Sequence, residues 1–162
     1  GDGGLVTWLV GRKVASGPVP DVVVVHGGGN DLGLIPQREL LWRMKRDMDR
    51  LRELVPGVVV VWSEMVPRFT WRHTRDPAAV ARCRGKVNRT MAVFVSRMGG
   101  VVVRHRELEG MLPGYFRRDG VHLSDIGLWL TSNHDMRLLC LGGELRAVFI
   151  LRSEVNSERC ES

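Results

Sequence analysis

Lysine is nearly missing from this chain: Lys13, Lys45 and Lys86 stand against 21 arginines in 162 residues with a net charge of +6. Arginine forks suit phosphate, so a nucleic acid or another anionic partner is one reading of that balance. The arginines are spread along the whole chain, however, with no block of five or six and no RNA-binding aromatic motif beside them. Solvated helix faces are the favoured reading, and a nucleic-acid partner is not. Cysteine is scarce too. Cys83, Cys140 and Cys160 form an odd set without paired or metal-like spacing, which argues against a disulfide framework and a zinc site and for a reducing, cytoplasmic or otherwise intracellular setting.

Long apolar runs are also lacking, since none exceeds five residues, as in Val58–Trp62. A membrane-spanning helix needs about 20. The first residues, Gly1-Asp2-Gly3-Gly4, offer no Met, no basic segment and no long apolar stretch, so no secretory signal is read there. Hydrophobic residues at 44% and charged residues at 26% fit an ordinary globular chain. The length suits one domain.

What is present alternates between strand and helix. Asp21 leads into Val22-Val23-Val24-Val25-His26, a β-branched run without polar alternation, as in a parallel strand buried on both faces. Gly27 to Asp31 is the loop at its end, and Pro36 suits the start of a helix. Leu40, Met44, Met48, Leu51 and Val55 then recur at helical spacing. Pro56-Gly57 ends that helix, and Val58–Trp62 repeats the strand signature. Asp76-Pro77 reads as a cap and first turn for a second helix carrying Val80, Cys83, Val87, Met91, Phe94 and Met98. Gly99-Gly100 closes it, Val101–Val103 is a third strand, and Ser124 can cap a last helix through about Cys140. The fold class is therefore open α/β, with strand ends and their loops on one edge. Residues 1–141 form the domain; 142–162 read as a C-terminal extension, with Leu145–Leu151 a strand or short helix and Arg152–Ser162 a polar, poorly ordered tail.

Two loops carry the chemistry. Asn30, on the tight Gly28-Gly29-Asn30-Asp31 turn, can aim its side-chain amide at a developing oxyanion, with the glycines allowing close approach. In Asp119-Gly120-Val121-His122 the Asp can accept the Nδ1 proton of the His, leaving Nε2 free as a base. His26 ends a strand and is expected to pack; His73, His105 and His134 read as surface or loop histidines. Ser16 lies in a Gly-Pro loop, and Ser63 follows a buried strand without a turn that would expose it.

Together the two loops, in type, order and setting, resemble the third and fifth sequence blocks of the SGNH (GDSL-type) hydrolases, over about Pro20 to Leu139. The resemblance implies a three-layer, flavodoxin-like parallel sheet and hydrolysis of carboxylic esters or related acyl groups without metal or cofactor. It implies His122 as general base, Asp119 as its orienter, Asn30 as oxyanion-hole donor, Asp31 as a residue holding the loop, and Gly4 (or Gly3) as the second-block glycine. Trp62-Ser63-Glu64 and Trp71-Arg72-His73 loosely resemble esterase-like domains encoded within retroelements. The first block, a strand ending in Gly-Asp-Ser with the nucleophile, has no counterpart: Gly1-Asp2-Gly3 has Gly where Ser would stand. The expectation is a degenerate or inactive esterase domain acting, if at all, on a small acyl ester. The alternatives are a binding module for an anionic partner and an interaction domain that pairs through an open sheet edge.

Overall fold

The computed structural model describes residues 17–71, 74–128, 131 and 147–152. Strand β1 (Val22–Gly27) opens the fold and is followed by α1 (Gln37–Leu54), β2 (Val59–Ser63), α2 (Pro77–Arg97), β3 (Val101–Val103) and β4 (Ala147–Arg152). All strand pairings are parallel, in the order β3-β2-β1-β4. This is the open α/β sheet expected from the alternating pattern. Among the described residues no strand precedes β1, and β4 pairs along its full length on the side of β1 away from β2.

Valine alternation sets the two faces of the sheet. Val23 and Val25 of β1, with Val60 and Trp62 of β2, pack under both helices against Leu40, Met44, Met48, Leu51, Val87, Met91 and Val95. Val22, Val24, Val61 and Val103 point the other way and are buried as a second cluster. A sheet buried on both faces needs apolar residues at every strand position, which explains why these strands read as unbroken valine runs rather than as alternating ones. Both crossover helices lie on one face because two successive right-handed crossovers advance in the same direction.

The helix ends follow their sequence signals. Pro36 precedes α1, and its carbonyl accepts the Leu40 N–H at 3.0 Å. Asp76 caps α2 through Oδ1, which accepts the Ala79 N–H at 2.8 Å, with Pro77 in the first turn where a missing N–H costs nothing. Gly99, at φ 80°, turns the chain out of α2 toward β3. Strand β2 begins one residue later than its valine run, since Val58 still donates to the Val55 carbonyl in the turn after α1. At its other end the strand runs one residue further, to Ser63, which pairs with His26 and Val103.

Inside α2, Arg84 is buried and donates to both oxygens of Glu109 and to the Met65 carbonyl. Asn88 exchanges two bonds with the Met65 backbone, accepting its N–H and donating to its carbonyl. These contacts tie the segment after β2 to the helix. That segment leads directly to the site.

Candidate functional site

The loop between β3 and the last helix is built around Asp119. Its Oδ1 accepts the backbone N–H of Val121 at 2.9 Å and of His122 at 3.0 Å, while Oδ2 lies 2.6 Å from His122 Nδ1. The His122 hydrogen bond, then the two backbone donors, hold this carboxyl far below the usual carboxylate range. A carboxylate there accepts a hydrogen bond from the Nδ1–H and leaves the imidazole lone pair on Nε2. The loop is closed behind the pair by Arg117 N–H donating to His122 O at 2.8 Å and by a bridge between Phe116 and Leu123. Ser124 caps the helical residues 125–128, its hydroxyl accepting from Gly127 N and donating to Gly114 O.

The glycine loop follows β1 at the C-terminal edge of the sheet. Gly28 takes φ 92° and lies over Met44 and Met65. Asp31 holds the turn through its backbone, donating to Gly28 O and accepting from Leu34 and Ile35. Asn30 is exposed, and its Oδ1 accepts from Arg68 Nη1 at 2.9 Å.

Arg68 was not legible as a site residue, because its role arises from tertiary contact. It belongs to the segment after β2, whose next two residues reach the other loop: Phe69 and Thr70 donate their N–H groups to Gly120 O at 2.8 and 3.1 Å. Gly120 sits at φ 66°, and a Cβ on it would lie 2.9 Å from both Phe69 Cβ and Thr70 Oγ1. Glycine is required there on two counts. Phe69 also meets Phe116 edge to face at 5.0 Å. Residues 68–70 therefore join the Asn30 loop to the His122 loop, so both sequence motifs touch one short segment.

A second cluster lies at the same edge, on the sheet face away from α1 and α2. Ser63 Oγ stands 3.2 Å from His26 Nδ1 and 2.7 Å from His105 Nε2. Ser63 is 0% and His105 4% exposed; His105 lies in the loop after β3, one of the two settings expected for it, but it is not at the surface. Val103 is the register partner of Ser63, and the residue two further along a strand keeps the same face. The flanking arginines at 104 and 106 disguised that inward position. His26 packs as expected, and burial, with a smaller contribution from Arg68, lowers its pKa against an opposing hydrogen bond with the Ser63 backbone.

Of the other sequence candidates, Gly4, Ser16, His73 and His134 lie outside the described residues. Among the described residues there is no cluster of three or more His, Cys, Asp or Glu side chains fit to hold a metal, and no helix long and apolar enough to cross a membrane.

No protein-family model and no curated protein matches the sequence. Solved structures do match in shape. A protein described as an acylhydrolase from Bacteroides fragilis aligns with a TM-score of 0.60 at 15% identity, over 74% of this chain and 61% of its own. One described as a platelet activating factor from Streptococcus pneumonia aligns at 0.62 and 20% identity, over 82% and 67%. An acetyl esterase mutant with acetate ion aligns at 0.59 and 19%, over 82% and 65%. The chain thus spans less than two thirds of the acylhydrolase and of the acetyl esterase. At these identities the likeness is one of fold: the open α/β architecture with its parallel sheet is shared with all three structures.

Proposed function

We propose that this chain carries the base and oxyanion half of an acyl-transfer site for a carboxylic ester or related acyl group. His122 is the general base, Asp119 its orienter and Asn30 an oxyanion donor. The observation that carries this reading is the 2.6 Å contact between Asp119 Oδ2 and His122 Nδ1. It is supported by the segment 68–70, which bonds to both the Asn30 and Gly120 loops.

With Nδ1 committed to a carboxylate, Nε2 can take the proton of an attacking hydroxyl or water as the new bond to the carbonyl carbon forms. The charge that develops on the carbonyl oxygen is met by an amide donor already in place, so little reorganisation is needed during the reaction. Gly28 and Gly29 keep that loop free of side chains, and Asp31 holds its turn. The chemistry calls for no metal or cofactor.

The same reading makes the chain catalytically incomplete. Of the described serines, Ser63 is buried between two histidines, Ser124 caps a helix, and Ser96 lies on the exposed side of α2. None is bonded to His122. The test is a longer chain in which a strand ending in Gly-Asp-Ser precedes Gly1. There, His122→Ala should lower hydrolysis of a short p-nitrophenyl ester by orders of magnitude, as loss of a base does when residues act as a unit. Hydrolysis in that longer chain that ignores His122 would remove the assigned roles.

A further inference from the structure

Arg68 stands between the two motif loops and belongs to neither. Its Nη1 donates to Asn30 Oδ1 at 2.9 Å, and a Cβ at Gly29 would lie 2.8 Å from its Nη2. Absence of a side chain at Gly29 is therefore what admits the guanidinium against this loop. The guanidinium carbon also lies 5.5 Å from the centre of the Trp71 ring, within cation–π range. The following backbone is bonded to Gly120 O through Phe69 and Thr70. Three independent contacts thus fix where this side chain begins and ends.

The chemistry of the pair removes an ambiguity. A guanidinium carries only donors, so the Asn30 atom facing it must be the amide oxygen, and the NH₂ group is turned away from Arg68. A cation hydrogen-bonded to an amide oxygen draws electron density from the nitrogen. Its N–H bonds then donate more strongly.

We propose that Arg68 is a positioning residue of the acyl-transfer site, holding Asn30 with its NH₂ outward and polarising that group as an oxyanion donor. The proposal rests on the role given to Asn30 above. It differs from a plain surface contact in what it predicts: an exposed pair contributes little to stability, so Arg68 variants should fold normally while the Asn30 amide changes.

The test follows the Asn30 side-chain NH₂ by NMR in the ¹⁵N-labelled chain and in Arg68→Lys and Arg68→Met variants. Polarisation strengthens the partial double bond to nitrogen. Exchange between the two Nδ2 protons should then be slower in the wild type than in Arg68→Met by roughly threefold, equivalent to about 0.65 kcal/mol in the barrier. The ¹⁵N resonance should move downfield in the wild type, and Arg68→Lys should recover part of both effects. Because a guanidinium stays charged, the difference between wild type and Arg68→Met should persist from about pH 5 to 9. An Asn30 signal identical in wild type and in a folded Arg68→Met variant overturns the proposal. The readout needs no turnover, so failure of this proposal is separable from failure of the acyl-transfer reading, which shows as hydrolysis indifferent to His122 in the longer chain.

Discussion

Asp119 gives one carboxylate oxygen to His122 Nδ1 at 2.6 Å and the other to the His122 backbone N–H at 3.0 Å. One side chain thereby fixes both the position and the tautomer of the imidazole. Replacing it by asparagine keeps the shape but can turn an amide N–H toward Nδ1, which moves the ring proton to Nε2. Long-range ¹H–¹⁵N spectra should show the neutral ring protonated on Nδ1 in the wild type and on Nε2 in Asp119→Asn. In a form with a nucleophile that swap should cost on the order of 10⁴ in kcat. An unchanged tautomer in Asp119→Asn would contradict the orienting role.

The pH range over which the pair holds follows from the direction of the Asp119 shift. A carboxyl held below its ordinary value of 3.8 contributes its contact fully above that pH and loses it as pH falls through the lower, folded value. The Asp119 side-chain carboxyl ¹³C resonance should therefore show no protonation step of its own on acidification to about pH 4. A protonation step of that carboxyl centred at or above its ordinary value would show that it is not held low.

His26 acts in the same direction, in a higher pH window. Burial lowers its pKa from 6.5, Arg68 lowers it further, and the hydrogen bond with the Ser63 backbone only partly opposes them. The unfolded chain therefore takes up a proton below about 6.5 that the folded chain refuses, and stability falls as pH drops from there toward the folded value, by at most about 1.4 kcal/mol per pH unit. Urea midpoints at neutral pH and near pH 5 should differ more in the wild type than in His26→Asn. Equal differences would mean that the imidazole is not a buried neutral group.

Gly120 holds the two loops together through its conformation. Gly120→Ala would force a Cβ into φ 66° and to within 2.9 Å of Phe69 Cβ and Thr70 Oγ1. Strain of this kind costs on the order of 1–3 kcal/mol. The expected result is a lower urea midpoint together with faster hydrogen exchange at the Phe69 and Thr70 amides. A midpoint unchanged by the substitution would show that the segment 68–70 does not depend on this close approach.

The arginine surplus leads to a prediction about partners. If these side chains are solvated, nucleic acid should bind weakly and without sequence preference at physiological salt, with Kd in the range of roughly 10⁻⁴ to 10⁻⁶ M. An anisotropy titration reaching nanomolar affinity at that salt would favour the anionic-partner reading.

The strands and crossover helices were legible because valine runs, the Leu40-Met44-Met48-Leu51 stripe and the Asp76-Pro77 cap are local signals of burial and chain direction. The Asp119–His122 contact was legible for the same reason, since three residues on one turn fix its geometry. Arg68 and His105 were not. Each owes its place to pairing between elements far apart in sequence: Arg68 meets Asn30 across 38 positions, and His105 meets Ser63 across 42. No local pattern marks such a partner. The pairing of Ala147–Arg152 with β1 is likewise non-local; the apolar run allowed a strand but did not choose its neighbour.

The central proposal is that His122 and Asn30 act as base and oxyanion donor, with no serine among the described residues bonded to His122. Hydrolysis of a short p-nitrophenyl ester by the chain and by its His122→Ala variant, with fluorophosphonate labelling of both, tests it most directly. The account predicts rates near background, equal in the two proteins, and no labelled serine, because a base accelerates acyl transfer only when a hydroxyl lies within hydrogen-bond reach. Turnover that depends on His122, together with a covalently labelled serine, would contradict it. The peptides containing Ser63 and Ser16 would then be the first to examine by mass spectrometry.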